Sequence, residues 1–272
     1  MAKPIIAMMY DFDKTLSPKN MQDYGFMDGL DVSSEEFWKE CTKLTKKHHM
    51  DSILAYMYLM LEKGQSSLLL KRDNFKSLGK SVKLFPGVDT WFSRINAYCE
   101  EKGAKCEHYI ISSGLKEIIE GTKIAGEFKE IYAAEFLYGS NGLAKWPAMA
   151  VNYTSKTQFL YRINKGVFDV TEQKKLNEYV PEDERRVPFR NMIYFGDGDT
   201  DVPCMKLTKV NGGHSFVVYQ DDKAEAEKLI GEHRVDFAVK ADYRAGKALD
   251  RAVKAVVDEI CATEKVLKIS SI

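Results

Sequence analysis

Ile5-Ile6-Ala7-Met8-Met9-Tyr10-Asp11-Phe12-Asp13-Lys14-Thr15 is the stretch whose reading decides the fold. Six residues from Ile5 are apolar without interruption, the pattern of a strand buried on both faces inside a parallel sheet rather than the alternation of a half-exposed strand. The run stops at two carboxylates two residues apart. Burying negative charge at a strand end is costly unless something positive meets it, so this loop is expected to carry chemistry. Two further runs end alike. Tyr109-Ile110-Ile111 leads into Ser112-Ser113-Gly114, and Met192-Ile193-Tyr194-Phe195 leads into Gly196-Asp197-Gly198-Asp199-Thr200-Asp201. Ligands of open α/β sheets bind beyond the carboxyl ends of the strands, so these three loops can converge on one pocket.

Working outward, Val88, Trp91, Phe92, Ile95 and Cys99 fall at helical spacing between Pro86-Gly87 and Gly103, and Leu249, Ala252, Val253, Val256, Val257 and Ile260 repeat that spacing near the end. Weaker strand candidates lie at 131–134, 215–219 and 237–239. Strands alternating with helices predict an α/β fold, a doubly wound parallel sheet of Rossmann-like kind. Residues 18–83 break the alternation. Phe37, Cys41 and Leu44, then Ile53, Leu54, Met57, Tyr58 and Leu61, read as consecutive helices with no strand, a helical insertion after the first strand. The expected division is a core of 1–17 and 84–272 with a helical cap of 18–83. The Met-rich stripe of the insertion reads as core packing. The charged stretch 171–190 reads as a solvated excursion, and His48-His49 as polar surface, because neighbours on a helix point different ways.

Composition narrows the function classes. Forty basic residues balance forty acidic ones, so no global field draws the chain to nucleic acid or anionic lipid, and neither is expected as a partner. No stretch approaches the roughly 18 apolar residues that span a bilayer, and residues 1–10 do not read as a signal peptide. Five cysteines without a C-x-x-C pair disfavour a disulfide framework or thiolate zinc site. They are read as reduced thiols in a cytoplasmic protein.

Asp11, Asp13, Asp197 and Asp201 form an oxygen-only ligand set that suits a hard cation such as Mg²⁺. Taken in order, Asp11-x-Asp13-x-Thr15, the serine ending the second strand, a downstream lysine and Gly196-Asp197-Gly198-x-x-Asp201 resemble the four motifs of the haloacid dehalogenase-like superfamily. The likeness covers nearly all of the chain outside the insertion. What the resemblance implies is a Mg²⁺-dependent phosphohydrolase acting on a small phosphorylated metabolite, with an insertion like the small helical cap of the phosphoserine phosphatase-like branch. Asp11 would be the nucleophile that forms an aspartyl-phosphate, and Asp13 the general acid/base. An aspartate at the second position argues against carbon–halogen chemistry. Ser112, with Ser113 as a backbone donor and Gly114 allowing close approach, would bind the phosphoryl oxygens. Lys156 would neutralise nucleophile and phosphoryl group; Lys165 competes for that role, and Lys156-x-x-x-Leu160-x-x-Ile163 at a helix start selects Lys156. Asp197 would bind the metal with the Asp11 carboxylate and the Asp13 carbonyl, Asp201 would orient metal waters or Lys156, and the Thr15 hydroxyl would cap the loop. Asp199 takes no role. Two other readings use the same residues: a phosphotransferase or phosphomutase passing the phosphoryl group to another acceptor, and a non-catalytic phosphate-ligand-binding protein.

Overall fold

The computed structural model describes residues 3–30, 32–64 and 68–270. Its strands are β1 (Ile5–Tyr10), β2 (Lys105–Leu115), β3 (Phe128–Tyr138), β4 (Ala144–Met149), β5 (Met192–Gly196), β6 (His214–Tyr219) and β7 (Phe237–Lys240). They form one seven-stranded sheet in the order β4-β3-β2-β1-β5-β6-β7, parallel throughout except that β4 runs antiparallel to β3. The chain moves outward from β1 through β2 and β3 and returns to β5 on the other side of β1. That reversal makes the β1–β5 junction the topological switch point, where a crevice opens beyond the strand ends.

The helices are α1 (Phe26–Leu30), α2 (Ser34–His48), α3 (Ser52–Lys63), α4 (Arg72–Gly79), α5 (Val88–Glu101), α6 (Lys116–Glu120), α7 (Thr157–Lys165), α8 (Gln173–Asn177), α9 (Val202–Val210), α10 (Ala224–Gly231) and α11 (Ala248–Ser270). Side chains alternate across a strand, and β1 divides its residues accordingly. Ile6, Met8 and Tyr10 pack on one face with Trp91 and Ile95 of α5 and Val253 and Val257 of α11. Ala7 and Met9 pack on the other with Phe159 and Ile163 of α7 and Cys204 and Met205 of α9. Burial on both faces explains the unbroken apolar runs. Among the described residues no helix is long and apolar enough to cross a membrane.

The insertion is helical, as its periodicity predicts, and each helix has a local cause. Ser33 and Glu36 form a capping box at the start of α2, and His49 closes it in a left-handed conformation with φ 50°. Asp51 caps α3 by accepting from the Ile53 and Leu54 amides at 2.9 and 3.0 Å. The apolar side chains of these helices join the core on the α5 face of the sheet. Phe75 of α4 stacks on Phe26 of α1 and on Phe136 of β3, with ring centroids 5.7 and 5.8 Å apart. α4 lies so close to α6 that a Cβ on Gly121 would overlap the Lys76 carbonyl oxygen. Lys76 also pairs with Glu120 at 2.9 Å.

The structure differs from the sequence-based expectation in three places. β2 does not stop at Ile111: Ile111 pairs with Tyr132 and Leu115 with Ala134, so Ser112-Ser113-Gly114 bulge out of a continuing strand. Bulges recur beside active sites because they re-aim side chains. β4, which carries Pro147, is an edge strand that packs against α3. The excursion 171–190 is largely exposed, yet Arg186 reaches back to Glu107 at 2.6 and 2.7 Å, and Val187 and Phe189 are buried.

Candidate active site

Asp11 is the first residue beyond β1, and its amide still donates to the Phe195 carbonyl of β5 at 2.9 Å. The loop after it is wound tight: the Thr15, Leu16 and Ser17 amides all point at the Phe12 carbonyl, at 3.3, 2.9 and 3.1 Å, and Lys14 takes a left-handed conformation with φ 56°. Asp13 emerges from this turn and accepts from the Met21 amide at 2.9 Å. Backbone donors already close the turn, which explains why the expected cap by the Thr15 hydroxyl is not formed. Its Oγ1 lies buried without a hydrogen-bond partner, and the Thr15 carbonyl is held instead by the Tyr243 hydroxyl at 2.8 Å.

The β2 bulge brings Ser112 alongside. Its Oγ accepts from the Gly114 amide at 3.1 Å, and the Ser113 carbonyl accepts from Tyr56 of α3 at 2.8 Å. Gly114 leaves room for the Met21 side chain, whose methyl group a Cβ there would displace.

Lys156 ends the 3-10 turn that precedes α7 and is fully buried. Its Nζ lies 2.7 Å from Asp201 Oδ1 and 3.2 Å from Asp11 Oδ1. Burial alone would lower its pKa; the charges of Asp11 and Asp201 outweigh burial and raise it, so the ammonium stays protonated. Lys165 is elsewhere, donating to the Leu176 and Glu178 carbonyls at 2.8 and 2.6 Å. Asp201 is a hub at the start of α9, accepting also from the Tyr194 hydroxyl at 2.8 Å and the Asp197 amide at 3.2 Å. Gly196 is a glycine because a Cβ would strike the Asp201 carboxyl group.

Carboxylate oxygens of Asp11, Asp197 and Asp201 lie within 4.8 Å of one another, and Lys156 is the cation bonded among them. Burial pushes the Asp11 pKa up to about 6, with Lys156 opposing and Asp201 adding to the rise. Burial, then Asp201 and Asp11, push Asp197 up to about 8. Burial and the Asp11 charge hold Asp13 well above the usual carboxylate range. Asp11 Oδ1 has no hydrogen bond beyond its ion pair with Lys156. An excess of buried negative charge with oxygen-only donors fits a hard divalent cation. The Asp13 carboxylate stands outside this group, whereas Asp201, expected only to support, stands inside it.

A cavity of about 470 Å³ opens onto the cluster, bounded by the insertion on its far side. Sequence reasoning missed four features of the site and its surroundings. Tyr194 sits in a run that reads only as apolar. Tyr56 and Trp38 occupy helical positions that read as packing. Asp51 Oδ2 accepts from the Asn152 side chain, which opens the turn carrying Lys156; an Asn before a helix start was its one available signal.

The model of the haloacid dehalogenase-like hydrolase family matches residues 8–206, and the chain belongs to that family. It is 30% identical over 286 residues to an uncharacterized protein of Borreliella burgdorferi (strain ATCC 35210 / DSM 4680 / CIP 102532 / B31), covering 94% of this chain and 97% of the relative. A phosphoserine phosphatase carrying a phospho-aspartyl intermediate analogue shares the fold with TM-score 0.55 and 14% identity over 93% of this chain and 99% of its own. A probable phosphoserine phosphatase from Vibrio cholerae matches with TM-score 0.59 and 13% identity over 96% of this chain and 67% of its own. A family hydrolase from Salmonella enterica subsp. enterica serovar Typhi matches with TM-score 0.56 and 18% identity over 89% and 69%.

Proposed function

We propose that the chain is a Mg²⁺-dependent phosphatase that hydrolyses a small phosphomonoester through an aspartyl-phosphate on Asp11. The observation that carries this reading is the buried Lys156 bridging Asp11 and Asp201 at the switch point, with Asp13 two residues beyond Asp11. Burial raises both neighbouring carboxylates, and the Asp11 charge adds to the rise at Asp13, which suits the pair to divided roles. With a pKa of about 6, Asp11 is mostly ionised at neutral pH and can attack phosphorus. Asp13, held well above the usual range by burial and then by the Asp11 charge, is the acid placed to give a proton.

In the first step an Asp11 oxygen forms a bond to phosphorus, the ester P–O bond breaks, and the departing alkoxide takes the Asp13 proton. Water then attacks phosphorus and gives a proton to Asp13. The P–O bond to Asp11 breaks, and inorganic phosphate leaves. Lys156 holds Asp11 in place and faces the phosphoryl charge, while the Ser112 hydroxyl and the amides of the bulge receive its oxygens. Asp11, Asp197 and the Asp13 carbonyl would hold Mg²⁺, with Asp201 supporting Lys156 and the Asp197 amide. When bound, the cation supplies charge that neutralises the phosphoryl oxygens.

Residues 18–83 act in this reading as a cap that bounds the leaving-group side of the cavity and excludes water. All five cysteines are free, which supports a cytoplasmic setting. The test is phosphate release from p-nitrophenyl phosphate with Mg²⁺ or EDTA, for the wild type and Asp11→Asn. Turnover that needs Mg²⁺ and is lost in the variant is expected. Equal turnover in the variant would overturn the assignment of Asp11.

A further inference from the structure

The leaving-group half of the cavity has a chemistry of its own. It is formed by Trp38, Cys41, Thr42 and Thr45 of α2, Ile53 and Tyr56 of α3, and Gln22 from the turn beside Asp13. Trp38 and Tyr56 meet edge to face, ring centroids 5.9 Å apart. Trp38 Nε1 and Gln22 Oε1 are buried polar atoms without hydrogen-bond partners, and Gln22 as a whole is 1% exposed. A buried donor and a buried acceptor left unpaired on residues that line the cavity can be paired by a ligand that reaches them.

Among the described residues, every carboxylate lining the cavity belongs to the reacting end: Asp11, Asp13, Asp197 and Asp199. The α2–α3 wall offers none. Its cation is Lys46, which is exposed. Asp51, at the start of α3, is committed to the Ile53 and Leu54 amides and to Asn152. An ammonium group carried into this half would lose water without gaining an anionic partner. The volume, about 470 Å³, also lies in the range of pockets that enclose ligands much larger than an amino-acid side chain.

We propose that the site acts on phosphate monoesters of large, uncharged, ring-bearing alcohols, whose ring packs on Trp38 and whose polar edge pairs with Trp38 Nε1 and Gln22 Oε1, and that it rejects phosphorylated amino acids and amines. The proposal rests on the phosphatase reading above; ester and water give the free alcohol and inorganic phosphate. It separates this chain in substrate from the phosphoserine phosphatases whose fold it shares.

The experiment compares kcat/KM of the Mg²⁺-loaded enzyme on uridine 5′-phosphate and 4-methylumbelliferyl phosphate with that on O-phosphoserine, phosphoethanolamine, phosphocholine and glycerol 3-phosphate. The ring-bearing esters are expected to lead the amine-bearing ones by roughly a hundredfold. Trp38→Phe, which keeps the ring and removes the N–H, is expected to cut that lead about tenfold. A kcat/KM for O-phosphoserine or phosphocholine equal to or above that of the ring-bearing esters overturns the proposal while leaving the phosphatase reading intact. So does a glycerol 3-phosphate value matching theirs, or a lead that Trp38→Phe leaves unchanged. Absence of turnover on every ester, p-nitrophenyl phosphate included, overturns both.

Discussion

Asp197 offers a test of the electrostatic account that needs no substrate. Its pKa stands at about 8 in the fold because burial, Asp201 and Asp11 all oppose its charge, whereas an unfolded chain would release the proton near 4. The folded state therefore binds more protons than the unfolded one between these values, and stability falls as pH rises through that window. Each pH unit is worth about 1.4 kcal/mol for one fully shifted group. Asp197 is only partly shielded from solvent, which trims its loss between pH 6 and 8 to about 2 kcal/mol. For a chain of this size that lowers Tm by roughly 4–8 °C. The assay is thermal unfolding in EDTA at pH 6, 7 and 8, for the wild type and Asp197→Asn. The wild type should lose stability across the series, the variant should lose about 2 kcal/mol less, and Mg²⁺ should restore the wild type most at pH 8, where the site is most negative. A wild type equally stable at pH 6 and 8 in EDTA, or a variant with the same slope, would refute the claim that these acids carry more negative charge than Lys156 compensates.

Three other perturbations probe different parts. Lys156→Met leaves Asp11 and Asp201 buried without their cation; metal-free stability measured in urea should fall by about 3–5 kcal/mol, and kcat by at least about a hundredfold. Gly121→Ala places a methyl group against the Lys76 carbonyl where α4 meets α6, so the same unfolding measurement should show a loss of about 3 kcal/mol or more. His108 is held down to about 3 by burial, paired with Tyr10 at 3.1 Å and Asn96 at 3.0 Å. Unfolding proton uptake below about pH 6.5 should then remove roughly 1.4 kcal/mol per pH unit until about pH 3, a slope that denaturation of His108→Gln should lack.

What the sequence made legible, and what it hid, follows from where each residue sits. β1, β2 and β5 were readable because a strand buried on both faces has no polar interruption, and the acids and serines at their ends break that run abruptly. β4 was not: its Lys145-Trp146-Pro147 segment lies at the sheet edge, where Pro is tolerated and no periodicity is imposed. Lys156 stood among forty basic residues, and only the order of the motifs and its helix-start spacing to Leu160 and Ile163 singled it out. Its pairing with Asp11 and Asp201 joins three segments that no local pattern links.

The residues of the insertion that line the cavity were hidden for a different reason. Along α2, Phe37 and Cys41 are buried and form a helical stripe with Leu44, and that stripe was readable as packing. Trp38, Thr42 and Thr45 lie one position further round the same helix and line the cavity, with Cys41 at the border between stripe and cavity. A step of one residue turns the helix by about 100°, enough to pass from core to cavity wall without disturbing the period. Chemistry at strand ends announces itself by interrupting a pattern, while specificity on a helix face continues one. On the proposed reading, helices inserted above such a sheet can exchange a Trp or a Thr for another residue, and with it the accepted alcohol, while Asp11, Asp13 and Lys156 stay fixed by the strands and turns beneath.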